Sequence, residues 1–114
     1  FNRDLLLNNL EGDLDAFHSI LDLFQSDTIR GLGRVRHALG ARDFKALRES
    51  AHSIKGASGN VGAETICLLA SALERAARME DFDLCQNRFA DLQTAFKEFT
   101  REVLLLRDGN SAQM

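Results

Sequence analysis

The chain has no proline, no tryptophan and no tyrosine, and only two cysteines among its 114 residues. Without proline, no position is forced to end or kink a helix. No apolar run approaches the roughly 18 residues that a membrane-spanning helix needs, and no signal peptide is visible. Cys67 and Cys85 lack the CxxC spacing of many metal and redox sites, and two isolated thiols favour a reducing, cytoplasmic location.

What is present has the composition of one globular domain. Apolar residues make up 45% of the chain and charged residues 27%, which is typical of such domains. The net charge is −3 with acids and bases interspersed, whereas a nucleic-acid-binding protein more often carries a basic excess. We therefore predict one domain, residues 1–110, with a frayed tail at 111–114, that contacts neither nucleic acid nor a membrane.

Helical periodicity dominates the sequence. The clearest case is a C-terminal apolar stripe whose spacings alternate between three and four residues: Phe82, Cys85, Phe89, Leu92, Phe96, Phe99, Val103 and Leu106. Three similar segments precede it, together with a short leucine-rich segment at 5–10. Because the connections between the long segments are only a few residues, sequential helices should be antiparallel neighbours. The predicted fold is all-α, an antiparallel up-down four-helix bundle with a short leading N-terminal helix.

Capping residues set the predicted boundaries. Asp13 and Asp43 are placed to cap the second and third helices, and Gly62 to end the third. The segment 40–42 is predicted as a loop, and the segment 108–110 as the end of the last helix.

One stripe of the third helix carries basic side chains or none. At about 100° per residue, five residues fall on a line that lies about 110° from the apolar stripe: Lys45, Arg48, His52, Lys55 and Gly59. His52 should therefore face solvent, with Arg48 and Lys55 one turn away on either side and Gly56 beside it. Neutral imidazole is a good nucleophile, and nearby cations disfavour its protonation and would stabilise a phosphoryl group on the ring. The spacing by itself also fits an ordinary surface histidine.

The segment AHSIKGASGNVGA, residues 51–63, resembles the signature of histidine-containing phosphotransfer (HPt) domains. The family pattern is His, any residue, an aliphatic residue and Lys-Gly, followed about six residues later by Gly-Ala. The sequence matches it at six places: His52, Ile54, Lys55, Gly56, Gly62 and Ala63. The resemblance extends to Gly12-Asp13, to Gly40 and Asp43, and to Leu73-Glu74, and it covers roughly residues 3–106. Two departures are small: leucine is commoner at Ile54, and a small residue with a side chain is usual at Gly59.

The resemblance implies roles for individual residues. His52 would be the phosphoacceptor, Lys55 would hold the phosphate, and Gly56 would leave room for the partner. A rim would be formed by Arg48, Gly59, Glu74 and Arg78. Some relatives carry glutamine in place of Glu74 to hydrogen-bond the histidine, whereas a carboxylate at this position would repel a phosphate.

The resemblance also implies a phosphoryl carrier in a two-component phosphorelay. It would accept a phosphoryl group from an aspartyl-phosphate on a receiver domain and pass it to another receiver aspartate. It would bind no ATP and no cofactor of its own, and Mg²⁺ would come with the receiver. We expect a cytoplasmic monomer, either free-standing or the C-terminal domain of a membrane-bound bacterial hybrid sensor kinase, and the start at Phe1 favours a piece of a longer protein. Whether such a carrier counts as an enzyme is a matter of definition.

Other interpretations stay open. One is a non-catalytic helical adaptor in which His52 is incidental, and another is a phosphoacceptor domain of the chemotaxis-kinase type. A dimerising histidine-kinase stalk fits less well, because its helix usually carries Glu after His and a proline soon afterwards, whereas Ser53 follows His52 here.

Several weaker motifs are given structural roles. Gly31-Leu32-Gly33 begins like a GxGxxG loop, but Arg36 occupies the place of the third glycine and no strand precedes it. These glycines should instead bend the helix or let a neighbour approach. His18 and His37 lack a metal-ligand spacing, and Cys67 and Cys85 are predicted to fill the core.

Overall fold

The computed structural model describes the backbone of residues 3–112 and the side chains of residues 3–106. The described chain forms five helices: α1 (Arg3–Asn9), α2 (Leu14–Ala41), α3 (Phe44–Asn60), α4 (Glu64–Arg78) and α5 (Phe82–Ala112). Each of α2 to α5 packs against the next, and α5 returns to α2, which closes a ring of four. The short α1 packs against α2. The predicted all-α bundle with a leading helix is confirmed. Within the described chain, no helix combines the length and the apolar character needed to cross a membrane.

Aspartate side chains cap the starts of α2 and α3. The Asp13 Oδ1 atom accepts a hydrogen bond from the backbone N–H of Ala16 at 3.1 Å. Asp43 does the same for Ala46 at 3.0 Å. Each cap satisfies a backbone donor that has no partner within the helix. The starts that the sequence predicts for α2 and α3 are therefore confirmed.

Two predicted helix ends are wrong. Gly40 lies inside α2, which runs to Ala41 and is followed by Arg42 in a left-handed conformation with φ of 51°. The Arg42 backbone N–H donates to the carbonyl oxygens of Ala38 and Leu39, which closes the end of the helix, and its guanidinium stacks on the Phe82 ring, 3.9 Å from the centroid. At the other end α5 continues through 108–110 to Ala112, because one helical glycine costs only about 1 kcal/mol. Of the predicted tail, residues 111 and 112 are thus helical, and 113–114 lie outside the described residues.

The core follows the predicted stripes. The middle of the α5 stripe is buried, from Cys85 to Val103, and Phe99 meets Phe24 of α2 edge-to-face with ring centroids 5.1 Å apart. Cys67 differs from its prediction, because it is only half-buried. Its thiol lies 3.6 Å from the Lys55 carbonyl oxygen, at the α3–α4 contact rather than in the centre of the bundle.

Gly31 and Gly33 have different surroundings, although both lie in α2. A Cβ atom on Gly31 would lie 2.9 Å from Cγ1 of Ile54 in α3, whereas a Cβ on Gly33 would meet nothing within 4 Å. The expected close approach of a neighbour is therefore found at Gly31 and not at Gly33. The absence of a side chain at Gly31 allows α2 to pack closely against α3 at Ile54.

We expect Gly33→Ala to raise the free energy of unfolding by about 1 kcal/mol, because alanine is that much more favourable than glycine in a helix. Gly31→Ala should lose this gain to overpacking against Ile54, which typically costs about 1–3 kcal/mol. Urea denaturation of the two variants measures the difference. Equal midpoints would show that the α2–α3 contact yields easily at Gly31.

Candidate functional site

The burial pattern of α3 places His52 on the outside of the bundle. Leu47, Ala51, Ile54 and Ser58 are buried, and the Ser58 hydroxyl donates to the Ile54 carbonyl oxygen at 2.7 Å. The His52 side chain, on another face of the same helix, is 71% exposed. The expectation that His52 faces solvent is confirmed.

A carboxylate from the next helix holds the imidazole ring. Nδ1 of His52 lies 2.9 Å from Oε2 of Glu74, whose side chain is only 4% exposed. A carboxylate accepts hydrogen bonds, so Nδ1 of the neutral ring must carry the hydrogen and donate it. The lone pair of the neutral ring is then on Nε2, and the ring is oriented by a buried partner.

Two cations balance the buried charge of Glu74. The Lys55 Nζ atom and the Arg78 guanidinium each lie 3.8 Å from Oε1 of Glu74. Burial would raise the pKa of Glu74, but the hydrogen bond from His52 and the charges of Arg78 and Lys55 outweigh it. The pKa of this carboxyl is therefore lowered from its usual 4.5. With a neutral His52, the cluster of His52, Lys55, Glu74 and Arg78 thus carries one surplus positive charge.

Glu74 lies closer to His52 than a rim position implies. The repulsion expected between its carboxylate and a phosphate is offset by the two cations at Oε1. One signal in the sequence could have indicated its place: Glu74 follows Leu73 and lies between Ala70 and Ala77 at helical spacing, on the buried face of α4. A charged residue on that face calls for a polar partner on a neighbouring helix.

The remaining predicted residues are spread around this cluster. Gly56 is exposed, and a Cβ built there would meet no atom within 4 Å. Gly59 is also exposed and lies against Cys67, whose sulfur would be 3.8 Å from such a Cβ. Arg48 is half-buried on α3, one turn before His52. Among the described residues, no three His, Cys, Asp or Glu side chains converge as a metal site would require.

The lowered pKa of Glu74 predicts how stability depends on pH. The folded state binds this proton less readily than the unfolded chain, so the ionised carboxylate stabilises the fold above the unfolded value of about 4.5. That contribution is lost as the pH falls through the lower pKa of the folded state. We expect Glu74→Gln, which keeps a hydrogen-bond acceptor for His52, to weaken the decline in unfolding free energy between pH 5 and about pH 3. Urea denaturation across this range provides the measurement, and identical pH profiles would contradict the prediction.

Known proteins resemble the chain in sequence. The family described as Hpt domain matches residues 19–103. The phosphorelay intermediate protein rdeA of Dictyostelium discoideum is 22% identical over 98 residues, which are 86% of this chain and 39% of that protein. Histidine-containing phosphotransfer protein 2 of Arabidopsis thaliana is 24% identical over 90 residues, 76% of this chain and 58% of that protein. The chain therefore spans between 39% and 58% of the length of these two relatives.

A solved structure resembles it in fold as well. The crystal structure of histidine-containing phosphotransfer protein B (HptB) from Pseudomonas aeruginosa PAO1 matches with a TM-score of 0.63 and 32% sequence identity, over 87% of this chain and 93% of that one. The family match spans α3 and α4 completely and most of α2 and α5, and it includes both His52 and Glu74. The chain therefore belongs to the Hpt domain family.

Proposed function

We propose that this Hpt domain carries a phosphoryl group on Nε2 of His52 in a two-component phosphorelay. It takes the group from an aspartyl-phosphate of one receiver domain and passes it to an aspartate of another. The observation that carries the proposal is the 2.9 Å hydrogen bond between Nδ1 and Glu74 on an exposed ring, which leaves the Nε2 lone pair available. The relatives, a phosphorelay intermediate and two histidine-containing phosphotransfer proteins, support the same function.

The transfer step requires no proton movement at the histidine. The Nε2 lone pair attacks phosphorus, the bond from phosphorus to the aspartyl oxygen breaks, and the aspartate leaves as a carboxylate. The ring then carries the phosphoryl group on Nε2 and a hydrogen on Nδ1, so positive charge develops on the imidazole. The ionised Glu74 at Nδ1 stabilises that charge, and reversal of the same step delivers the group to the next aspartate.

Lys55 and Arg78 supply charge neutralisation, on which phosphoryl transfer depends more than on covalent assistance. Both lie beside Glu74, and both side chains are partly exposed, at 41% and 61%, so they can turn toward an incoming phosphoryl group. Lys55 lies on α3, one helical turn from His52, whereas Arg78 lies on α4. Lys55 is therefore the residue that we assign to hold the phosphate. Arg48, one turn on the other side, adds to the positive field.

Gly56 gives the partner access. It lies one turn from His52 on the exposed surface of α3, and open space surrounds the position of its missing side chain. A glycine in a helix interior costs about 1 kcal/mol relative to alanine. We attribute this cost to the clearance that a receiver needs to bring its aspartate in line with Nε2, and Gly59 extends the same clearance by one turn.

The domain is proposed to act as a monomer without a cofactor of its own. The Mg²⁺ ion of the reaction comes with the receiver, and the partners are receiver domains of response regulators or of a hybrid sensor kinase. The proposed location is the cytoplasm, either as a free protein or as the C-terminal domain of a membrane-bound sensor kinase.

The test is transfer of label from a panel of receiver domains that carry radioactive phosphate on their aspartate. We expect the label to move to this chain, to survive alkali and to be lost in mild acid, as a phosphorus–nitrogen bond requires. Peptide mapping should place it on the segment that contains His52. If the label stays on every receiver while the chain still binds some of them, the adaptor interpretation replaces this proposal.

A further inference from the structure

A second polar site lies on the opposite side of α3 from Glu74. A groove of about 250 Å³ separates α2 from α3, and its walls include Asp27, Thr28, Arg30 and Arg34 of α2 and Ser53 of α3. Ser53 follows His52 directly in the chain. Both residues are exposed, and they point about 100° apart around α3, so the groove opens beside the imidazole ring.

The charges in the groove are not balanced. Asp27 forms an ion pair with Arg30, which also donates to the Ser26 hydroxyl at 3.0 Å. Arg34 has no ion pair or hydrogen bond within the described part of the chain, and its side chain lies across Gly31, with one guanidinium nitrogen 3.7 Å from the Cβ position there. The Asp27 carboxylate is thus already paired with Arg30, and the positive charge of Arg34 has no counter-charge in the groove.

Two hydroxyl groups of the groove residues, on Thr28 and Ser53, also lack a hydrogen-bond partner within the described part of the chain. Thr28 is 1% exposed, and its hydroxyl finds no hydrogen-bond partner among the described residues. Ser53 is exposed, and likewise has no hydrogen bond in that part of the molecule. The Thr28 hydroxyl is itself buried, so the groups on the groove surface are the unpaired Arg34 guanidinium and the exposed Ser53 hydroxyl. A guanidinium has donors and no acceptor, which favours an anion as its ligand.

A partner that reaches His52 will cover this groove. A standard interface buries about 800 Å² on each side, equivalent to a disc of about 16 Å radius. Packed helices lie about 8–10 Å apart, so a disc centred on His52 extends over Ser53 and onto α2. Covering Arg34 without a partner would remove its solvation and cost free energy.

We propose that Arg34 binds a carboxylate of an acidic side chain on the receiver, in the α2–α3 groove, and that this contact selects among receivers. The inference rests on the proposed phosphotransfer function. An exposed ion pair in water contributes little, so Arg34 by itself holds a free anion weakly. The same pair strengthens when a docked protein excludes water. Glu49 lies one turn before Ser53 on α3 and outside the groove walls, so it would repel an acidic side chain placed out of register.

The test compares Arg34→Glu with the matched variant Arg101→Glu, which reverses an exposed charge on α5. We expect Arg34→Glu to lower kcat/KM for transfer from a phosphorylated receiver by about tenfold or more, mainly through KM. Arg34→Gln should give a smaller loss, and Arg101→Glu should match the wild type. Labelling of His52 by phosphoramidate, a small donor that needs no docking, should be the same in all four proteins. A receiver with one surface acid changed to Arg should recover transfer to Arg34→Glu.

The outcomes separate this inference from the proposed function. If the wild type accepts phosphate from the receiver but Arg34→Glu and Arg101→Glu behave alike, the Arg34 contact is wrong and the phosphotransfer function stands. If the wild type accepts no phosphate from any receiver, the proposed function fails and the inference fails with it. If inorganic phosphate shifts the backbone NMR signals of Arg34 and Ser53 while Arg34→Glu transfers normally, the groove binds a free anion and the receiver contact is overturned.

Discussion

His52→Gln is expected to reduce the label that the chain takes from a phosphorylated receiver to background. Glutamine has no nucleophilic nitrogen, because its amide lone pair is delocalised into the carbonyl group. The neighbouring Lys55 is charged and lies beside Glu74, so it does not replace the imidazole. The glutamine amide can still donate to Glu74, and we therefore expect the local packing to be retained.

The control for this variant is His37→Gln, which removes another exposed histidine, on α2. It should take up label as the wild type does. Helical circular dichroism and the urea midpoint of His52→Gln should remain close to those of the wild type, which excludes unfolding as the cause. Acid-labile label on a folded His52→Gln protein would move the phosphoacceptor to another residue.

Gly56→Leu is expected to stabilise the fold while it slows transfer. Leucine is favoured over glycine in a helix by about 0.8 kcal/mol, and open space surrounds this position. The new side chain would stand one turn from His52 and hold the receiver away from the ring. A displacement of about 1 Å at a reacting centre can cost about 10²-fold in rate, so we expect a loss of this order in kcat/KM for transfer.

The matched control is Gly40→Leu, in the last turn of α2, where a Cβ also meets nothing within 4 Å. It should leave the transfer rate unchanged. Phosphoramidate should label Gly56→Leu as fast as the wild type, because a small donor needs no protein-sized clearance. A normal transfer rate from receivers to Gly56→Leu would show that the glycine has no role in access.

The surroundings of Glu74 explain how a carboxylate can lie at a site that is proposed to carry phosphate. The carboxylate accepts a hydrogen bond from Nδ1 of His52, and the cations Lys55 and Arg78 lie beside it. It therefore orients the ring, while the two cations keep the net charge of the site from being negative. The site therefore has two sides around α3. Glu74 and its cations lie toward α4, and Arg34 lies toward α2.

The sequence by itself determined the helices, the class of fold and the exposure of His52. Those features depend on interactions between residues three or four positions apart, or on a cap within the first turn, as at Asp13 and Asp43. The same short-range geometry placed Lys55 and Gly56 beside the histidine. The resemblance to phosphotransfer domains then connected these positions to a function that spacing alone left open.

Only the tertiary structure decided that Glu74 contacts His52, that Gly31 rather than Gly33 allows a close approach, and that Arg34 and Ser53 line one groove. Each of these depends on how one helix is rotated and shifted against another, with His52 and Glu74 separated by 22 residues along the chain. The packing of whole side-chain surfaces sets that alignment, and no local pattern encodes it. The physical reason is that a helix is stabilised by interactions between residues close together in the sequence. The site, in contrast, forms only where α2, α3 and α4 pack against one another with a particular rotation and shift.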